Sequence, residues 1–117
     1  MPNASEMQVS SYDNEVMRAW YNVTVTSNNL VRNVDDISNS TQRILTLITK
    51  EVTDFYNGDY GKVIVAGFSQ GASMSLNIGV HCQHTLGGII VNSGIAIPTV
   101  FEHVLQKCDD NEMKNKK

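Results

Sequence analysis

Residues 67–71 read Gly-Phe-Ser-Gln-Gly, and this stretch constrains the fold more tightly than any other in the chain. It fits the pattern G-x-S-x-G. Lys62-Val-Ile-Val-Ala66 precedes it, a short run rich in β-branched residues that reads as a buried strand, and a helical pattern follows at once. A strand that turns sharply into a helix is the setting in which this motif forms a nucleophile elbow. The serine then sits in a strained backbone conformation, and glycines two residues either side, Gly67 and Gly71, let strand and helix approach without Cβ clashes. Ser69 is lifted to the carboxyl end of the strand. The backbone amide of Gln70, at the helix N-terminus, points where an oxyanion would form. The plain alternative is two glycines flanking a serine by accident, and the flanking strand and helix argue against it.

Around the elbow the pattern is that of alternating strands and helices. Val34, Ile37, Ile44, Leu45, Ile48, Val52 and Phe55 recur at helical spacing and mark one face of a long helix before the elbow strand. Asn33 is its expected N-cap, with Asp35 and Asp36 in the first turn, and Asn57-Gly58 tolerates the left-handed backbone that ends it. Asp36, Asn39, Arg43, Lys50 and Asp54 lie on the other face and read as a solvated surface. After Ser69 the residues Ala72, Met74, Leu76, Ile78 and Val80 are small or apolar on nearly every side, as in a buried helix, with Met74 as core filler. Gly87-Gly-Ile-Ile-Val-Asn-Ser93 reads as a second buried parallel strand. Ser93 to Pro98 leaves as a loop, Thr99 to Lys107 reads as a short helix, and 109–117 as a frayed polar tail. Met1 to Ser11 reads as loop. Tyr21 to Thr26 alternates and fits a strand or an extended loop equally, and Trp20 reads as a packing anchor rather than a ligand platform. The expectation is one partial α/β domain over 1–117, with its core at 30–98.

Charge and cysteine content exclude several classes. A net charge of −3 offers no footprint for a phosphate backbone, so nucleic acid is not an expected partner. No apolar run reaches the length of a membrane span, and no signal-peptide core is present at the N-terminus. Two cysteines, Cys82 and Cys108, are too few for a disulfide framework and point to a reduced, cytoplasmic setting. The sequons at Asn3, Asn22 and Asn39 are then by-products of an asparagine-rich chain.

Gly67-Phe68-Ser69-Gln70-Gly71, with the β-rich run before it, resembles the phospholipase/carboxylesterase family, the branch of the α/β-hydrolases that includes acyl-protein thioesterases and lysophospholipases. Pro2-Asn-Ala4, Trp20-Tyr21-Asn22 and Leu86-Gly-Gly-Ile-Ile-Val-Asn-Ser-Gly94 resemble further family segments in the same order. The resemblance implies a central, mainly parallel sheet with flanking helices. It implies a serine hydrolase that forms an acyl-enzyme on Ser69, with no metal or organic cofactor. Its substrate would be a small-molecule ester, a lysophospholipid or an S-acylated protein. Family members also carry an upstream His-Gly-x-Gly-Asp segment, and an Asp and then a His well beyond the elbow. None of these matches here. The stretch thus resembles the middle of the domain, with N-terminal and C-terminal strands missing and the triad Asp and His expected past Lys117. By itself it is expected to be inactive or weak.

The other titratable residues do not replace that triad. His81 and His84 follow Ser69 by 12 and 15 residues, so a helix rising about 1.5 Å per residue carries them roughly 18 Å or more away. His103 follows the second strand and is the one histidine that could approach the sheet's carboxyl edge as a base. Asp109 and Asp110 fall in the tail, in the wrong chain order. Cys82 reads as packing, and His81, Cys82, His84 and Cys108 lack the spacing of a structural zinc site. Two alternatives stay open. One is a non-catalytic hydrolase-fold remnant whose exposed sheet edges pair with another chain or a second copy. The other is a different α/β-hydrolase group, lipase-like or dienelactone-hydrolase-like.

Overall fold

The computed structural model describes residues 1–116. Its organising unit is a strand, a helix and a parallel strand. Ile64–Phe68 (β5) pairs with Gly88–Asn92 (β6), in register from Ile64 opposite Gly88 to Phe68 opposite Asn92, and Gln70–His81 (α2) connects and covers them. β5 begins two residues later than the sequence suggests. Tyr60–Lys62 forms a 3-10 turn, because the Asp59 side chain caps it by accepting from Gly61 N at 3.0 Å.

The long helix is Val34–Phe55 (α1), and its start is the expected one: the Asn33 side chain accepts from Asp36 N at 3.0 Å. Asn57 and Gly58 both adopt positive φ beyond its end. Ile37, Ile44, Ile48 and Val52 form one core with Tyr21, Met74, Ile78, Ile97 and Val100. Val34 and Phe55, at the ends of the stripe, remain exposed because no element extends to meet them. The opposite face is not uniformly solvated. Asp36 accepts from Asn22 N at 2.9 Å, and the Arg43 guanidinium donates to Ser5 Oγ and Asn3 O and lies 5.4 Å from the Trp20 ring centroid.

The N-terminal stretch differs from its sequence reading. Met1 to Ser11 is not simply loop: Ser5–Val9 (β1) pairs antiparallel with Glu15–Ala19 (β2). Asp13 and Asn14 take φ of 52° and 61° between them, the left-handed geometry that Asp and Asn accept in hairpin turns. That dipeptide was the signal, masked by the polar residues on the exposed faces of both strands. Val23–Val25 (β3) pairs antiparallel with Leu30–Arg32 (β4), so the ambiguous run at Tyr21 to Thr26 is in part a strand.

The parallel strands were expected to be buried, and they are covered on one face only. Ile64, Phe68 and Ile90 are 61%, 68% and 56% exposed. Helices cover parallel sheets on both faces in complete α/β domains, and here α2 lies against one of them. The last helix, Pro98–Asn115 (α3), is longer than Thr99 to Lys107, and the tail expected to be frayed is helical to Asn115, with Lys117 outside the described residues. Pro98 at its first turn suits a helix start. A buried polar clasp ties the three helices together. Asn77 of α2 donates to Thr41 of α1 at 2.8 Å and accepts from Thr99 of α3 at 2.6 Å.

Candidate active site

Ser69 lies between β5 and α2 with φ 53° and ψ −118°, a region that residues with a Cβ rarely occupy. Three main-chain bonds hold it there. Its N–H donates to Asn92 O at 3.0 Å, pinning the turn to the end of β6, and its carbonyl accepts from Ala72 N and Ser73 N at 3.1 and 3.2 Å. The side chain is exposed at the carboxyl edge of the sheet. Gln70 opens α2, and its N–H has no acceptor among the described residues. The first amides of a helix are free by construction, so an oxyanion formed on Ser69 would meet an unspent donor.

The two motif glycines are not equivalent. A Cβ on Gly67 would sit 2.1 Å from Gly71 O and 2.6 Å from Ala72 N, so the strand touches the helix backbone there. A Cβ on Gly71 would meet only Trp20 Nε1, at 3.6 Å. Phe68 sits at the edge of the site, 68% exposed.

Ser69 lines a cleft of about 730 Å3 together with Gln70, Tyr21, Met17, Leu30 and Ile95. The walls come from the hairpins β1–β2 and β3–β4, of which the sequence suggested loop for Met1 to Ser11 and strand or loop equally for Tyr21 to Thr26. A larger cavity, about 850 Å3, lies between α1 and the far end of α2 at His81 and His84. The strained backbone of Ser69 lies in the other cleft.

The histidines are far from Ser69. His81 Nδ1 is 2.8 Å from the Asn77 carbonyl, at the opposite end of α2 from Ser69. His103, the one histidine with a route to the sheet's carboxyl edge, does not take it: its ring centroid lies 4.4 Å from that of His81, because α3 runs alongside α2 in the same direction. His103 Nε2 is shut off from solvent without a partner, and burial, then the His81 and Lys107 charges, lower its pKa. His84 stacks on Tyr60 at 4.0 Å. Among the described residues no three His, Cys, Asp or Glu side chains gather as a metal site would need.

Two features escaped the sequence reading. Ser93, at the end of β6, also has positive φ, 56°, so both parallel strands end in a left-handed serine; the Ser-Gly dipeptide was its signal. The second is the side chain of Gln70, which accepts from Trp20 N at 2.7 Å and donates to Tyr21 O at 2.9 Å. No local pattern announces a bond across fifty positions.

The family model for phospholipase/carboxylesterase matches residues 1–111. The chain belongs to the phospholipase/carboxylesterase family. Acyl-protein thioesterase 1 of Kluyveromyces lactis is 32% identical over 94 residues, covering 80% of this chain and 40% of the relative. The Yarrowia lipolytica acyl-protein thioesterase 1 is 35% identical over the same shares. Arabidopsis thaliana SOBER1 superposes with a TM-score of 0.68 at 23% identity, covering 80% of this chain and 44% of that structure. Zea mays acyl-protein thioesterase 2 gives 0.55 at 25% identity, covering 68% and 32%. The fold is therefore that of the α/β-hydrolases, present in part. The chain spans about 40% of the length of the curated relatives it matches. Among the described residues no helix is long and apolar enough to cross a membrane.

Proposed function

We propose that this chain carries the nucleophile half of a serine hydrolase that cleaves carboxylic esters or thioesters through an acyl-enzyme on Ser69. The observation that carries the reading is the strained backbone of Ser69 at the N-terminus of α2, above a cleft wide enough for an acyl group. In the first step Ser69 Oγ bonds to the substrate's carbonyl carbon and gives its proton to a base. The carbonyl oxygen becomes an oxyanion facing the free Gln70 amide, and the alcohol or thiol departs with a proton. Water then attacks the acyl-enzyme and releases the acid. A serine without a base stays protonated at neutral pH, and no histidine of this chain reaches Ser69. The base, its carboxylate partner and the second oxyanion donor are assigned to sequence outside these residues.

The relatives named as acyl-protein thioesterases favour an S-acylated protein as substrate, with lysophospholipids and small esters as the other members of the class. The test compares fluorophosphonate labelling of this chain with that of a chain carrying its natural flanking sequence. The longer chain should label at Ser69 and lose labelling in Ser69→Ala. A longer chain that stays unlabelled, or labelling that survives the substitution, would refute the proposal. A second reading rests on the exposed face at Ile64, Phe68 and Ile90: a non-catalytic subunit whose sheet is covered by another chain or a second copy. It requires a stable assembly in sedimentation, and a monomer across the accessible concentration range would end it.

A further inference from the structure

We propose that the side chain of Gln70 is a positioning element that locks the cleft wall to the nucleophile turn, so that one residue serves the oxyanion with its main chain and the acyl-binding wall with its carboxamide. The catalytic part of this statement rests on the reading of Ser69 given above; the mechanical part does not. Gln70 follows Ser69 directly, and its carboxamide meets two main-chain groups of a segment fifty positions earlier. Oε1 accepts from Trp20 N at 2.7 Å and Nε2 donates to Tyr21 O at 2.9 Å. An amide N–H can only donate and a carbonyl can only accept. A carboxamide therefore satisfies both groups, whereas a carboxylate satisfies one and repels the other.

The segment it holds is the hinge of the cleft. Trp20, Tyr21 and Asn22 join β2, which ends at Ala19, to β3, which begins at Val23. Neither of the groups held by Gln70 takes part in a strand ladder. The hairpins on either side supply the wall opposite Ser69, including Met17 and Leu30, and pack mainly within themselves and on each other. Part of their anchorage to the helices passes through this hinge, and part through Arg43 of α1, which donates to Ser5 Oγ of β1. Besides Gln70 the hinge's part consists of Ser40 Oγ donating to Trp20 O at 2.6 Å, Asp36 accepting from Asn22 N at 2.9 Å, and the Tyr21 ring, 3% exposed in the core. Among the described residues, the hydrogen bonds from the hinge to the elbow are those of Gln70. A shift of the wall to admit a longer acyl chain is thereby transmitted to the residue whose amide faces the oxyanion.

Trp20 is the only tryptophan of the chain, so its fluorescence reads the hinge directly and requires no activity. In the unaltered protein, acrylamide quenching measured between about pH 4 and 7, a window that brackets ordinary carboxyl titration, gives the baseline against which each variant is read. Gln70→Glu should raise quenching several-fold at pH 7 with helical circular dichroism retained. The effect should reverse as the introduced carboxyl protonates near pH 4 to 5 and regains a donor for Tyr21 O. Gln70→Ala should raise quenching at every pH without recovery. Quenching in Gln70→Glu that matches the unaltered protein, or that rises without reversing in acid, would overturn the proposal. In the chain with its flanking sequence, Gln70→Glu should slow labelling by a long-alkyl fluorophosphonate more than by a short-alkyl one, by up to about tenfold, the worth of one hydrogen bond. Equal slowing would remove the wall from specificity. No labelling of any variant would count against the hydrolase reading and leave the fluorescence result standing.

Discussion

The two glycines of the elbow look alike in sequence and should behave in opposite ways. In Gly67→Ala the new methyl would lie 2.1 Å from Gly71 O, 2.3 Å from Gly71 C and 2.6 Å from Ala72 N. All three are main-chain atoms, so no side chain can rotate away. To restore ordinary contact at 3.4 Å, α2 would have to retreat from β5 by about 1.3 Å. That movement would strain the Ser69 N–H to Asn92 O bond, 3.0 Å long. Overpacking against fixed neighbours costs up to about 3 kcal/mol, a large share of the roughly 5–15 kcal/mol that holds a domain folded. In Gly71→Ala the methyl would meet Trp20 Nε1 at 3.6 Å, an ordinary contact, and alanine is favoured over glycine in a helix by about 1 kcal/mol. Urea unfolding followed by helical circular dichroism separates the two. With a slope of about 1.5 kcal/mol per molar, Gly67→Ala should lower the midpoint by about 2 M. Gly71→Ala should leave it unchanged or raise it. Equal losses in both variants, or a Gly67→Ala midpoint near that of the unaltered protein, would show that backbone contact is not what selects glycine at 67.

Ser69→Gly should raise the melting temperature by about 4 °C, because relief of about 1–3 kcal/mol of backbone strain outweighs the flexibility cost of glycine; no gain would mean that the turn is relaxed. Asn77→Ala should cost about 2 kcal/mol or more, since the buried hydroxyl of Thr41 and the half-buried one of Thr99 both lose a partner; thermal unfolding measures it, and a loss below about 0.5 kcal/mol would dismiss the clasp. His103 has its pKa lowered in the folded state by burial and by His81 and Lys107. The unfolded chain therefore binds more protons below about pH 6.5, and stability should fall as pH drops through that value. His103→Phe should flatten this slope in urea titrations at pH 5 and 7, and an unchanged slope would assign it to other groups.

The exposed sheet face also bears on handling. Ile64, Phe68 and Ile90 sit on a two-stranded sheet whose outer edge at β5 borders an apolar groove with Ile44, Leu47 and Ile48. Unpaired, apolar strand edges favour self-association. The fluorescence and unfolding experiments are therefore best run at several protein concentrations.

Local chemistry alone determined the parts of this protein that were legible in its sequence. The 3.6-residue stripe of α1, its Asn33 cap, the left-handed Asn57-Gly58 end and the Gly-Phe-Ser-Gln-Gly elbow each depend on residues within a few positions of one another. Steric and capping rules act over that range, and the strained turn at Ser69 could be read from them. Contacts across space decided the rest. Two apolar strands carry the same pattern whether one face is covered or both, so the exposure of β5 and β6 is set by which neighbours are present. The course of α3 along α2 carried His103 to His81 rather than to Ser69. Packing of Trp20 and Tyr21 beside the elbow gave the Gln70 carboxamide its two partners. A side chain's type states which bonds it can make, and only the packed chain brings the atoms that accept them.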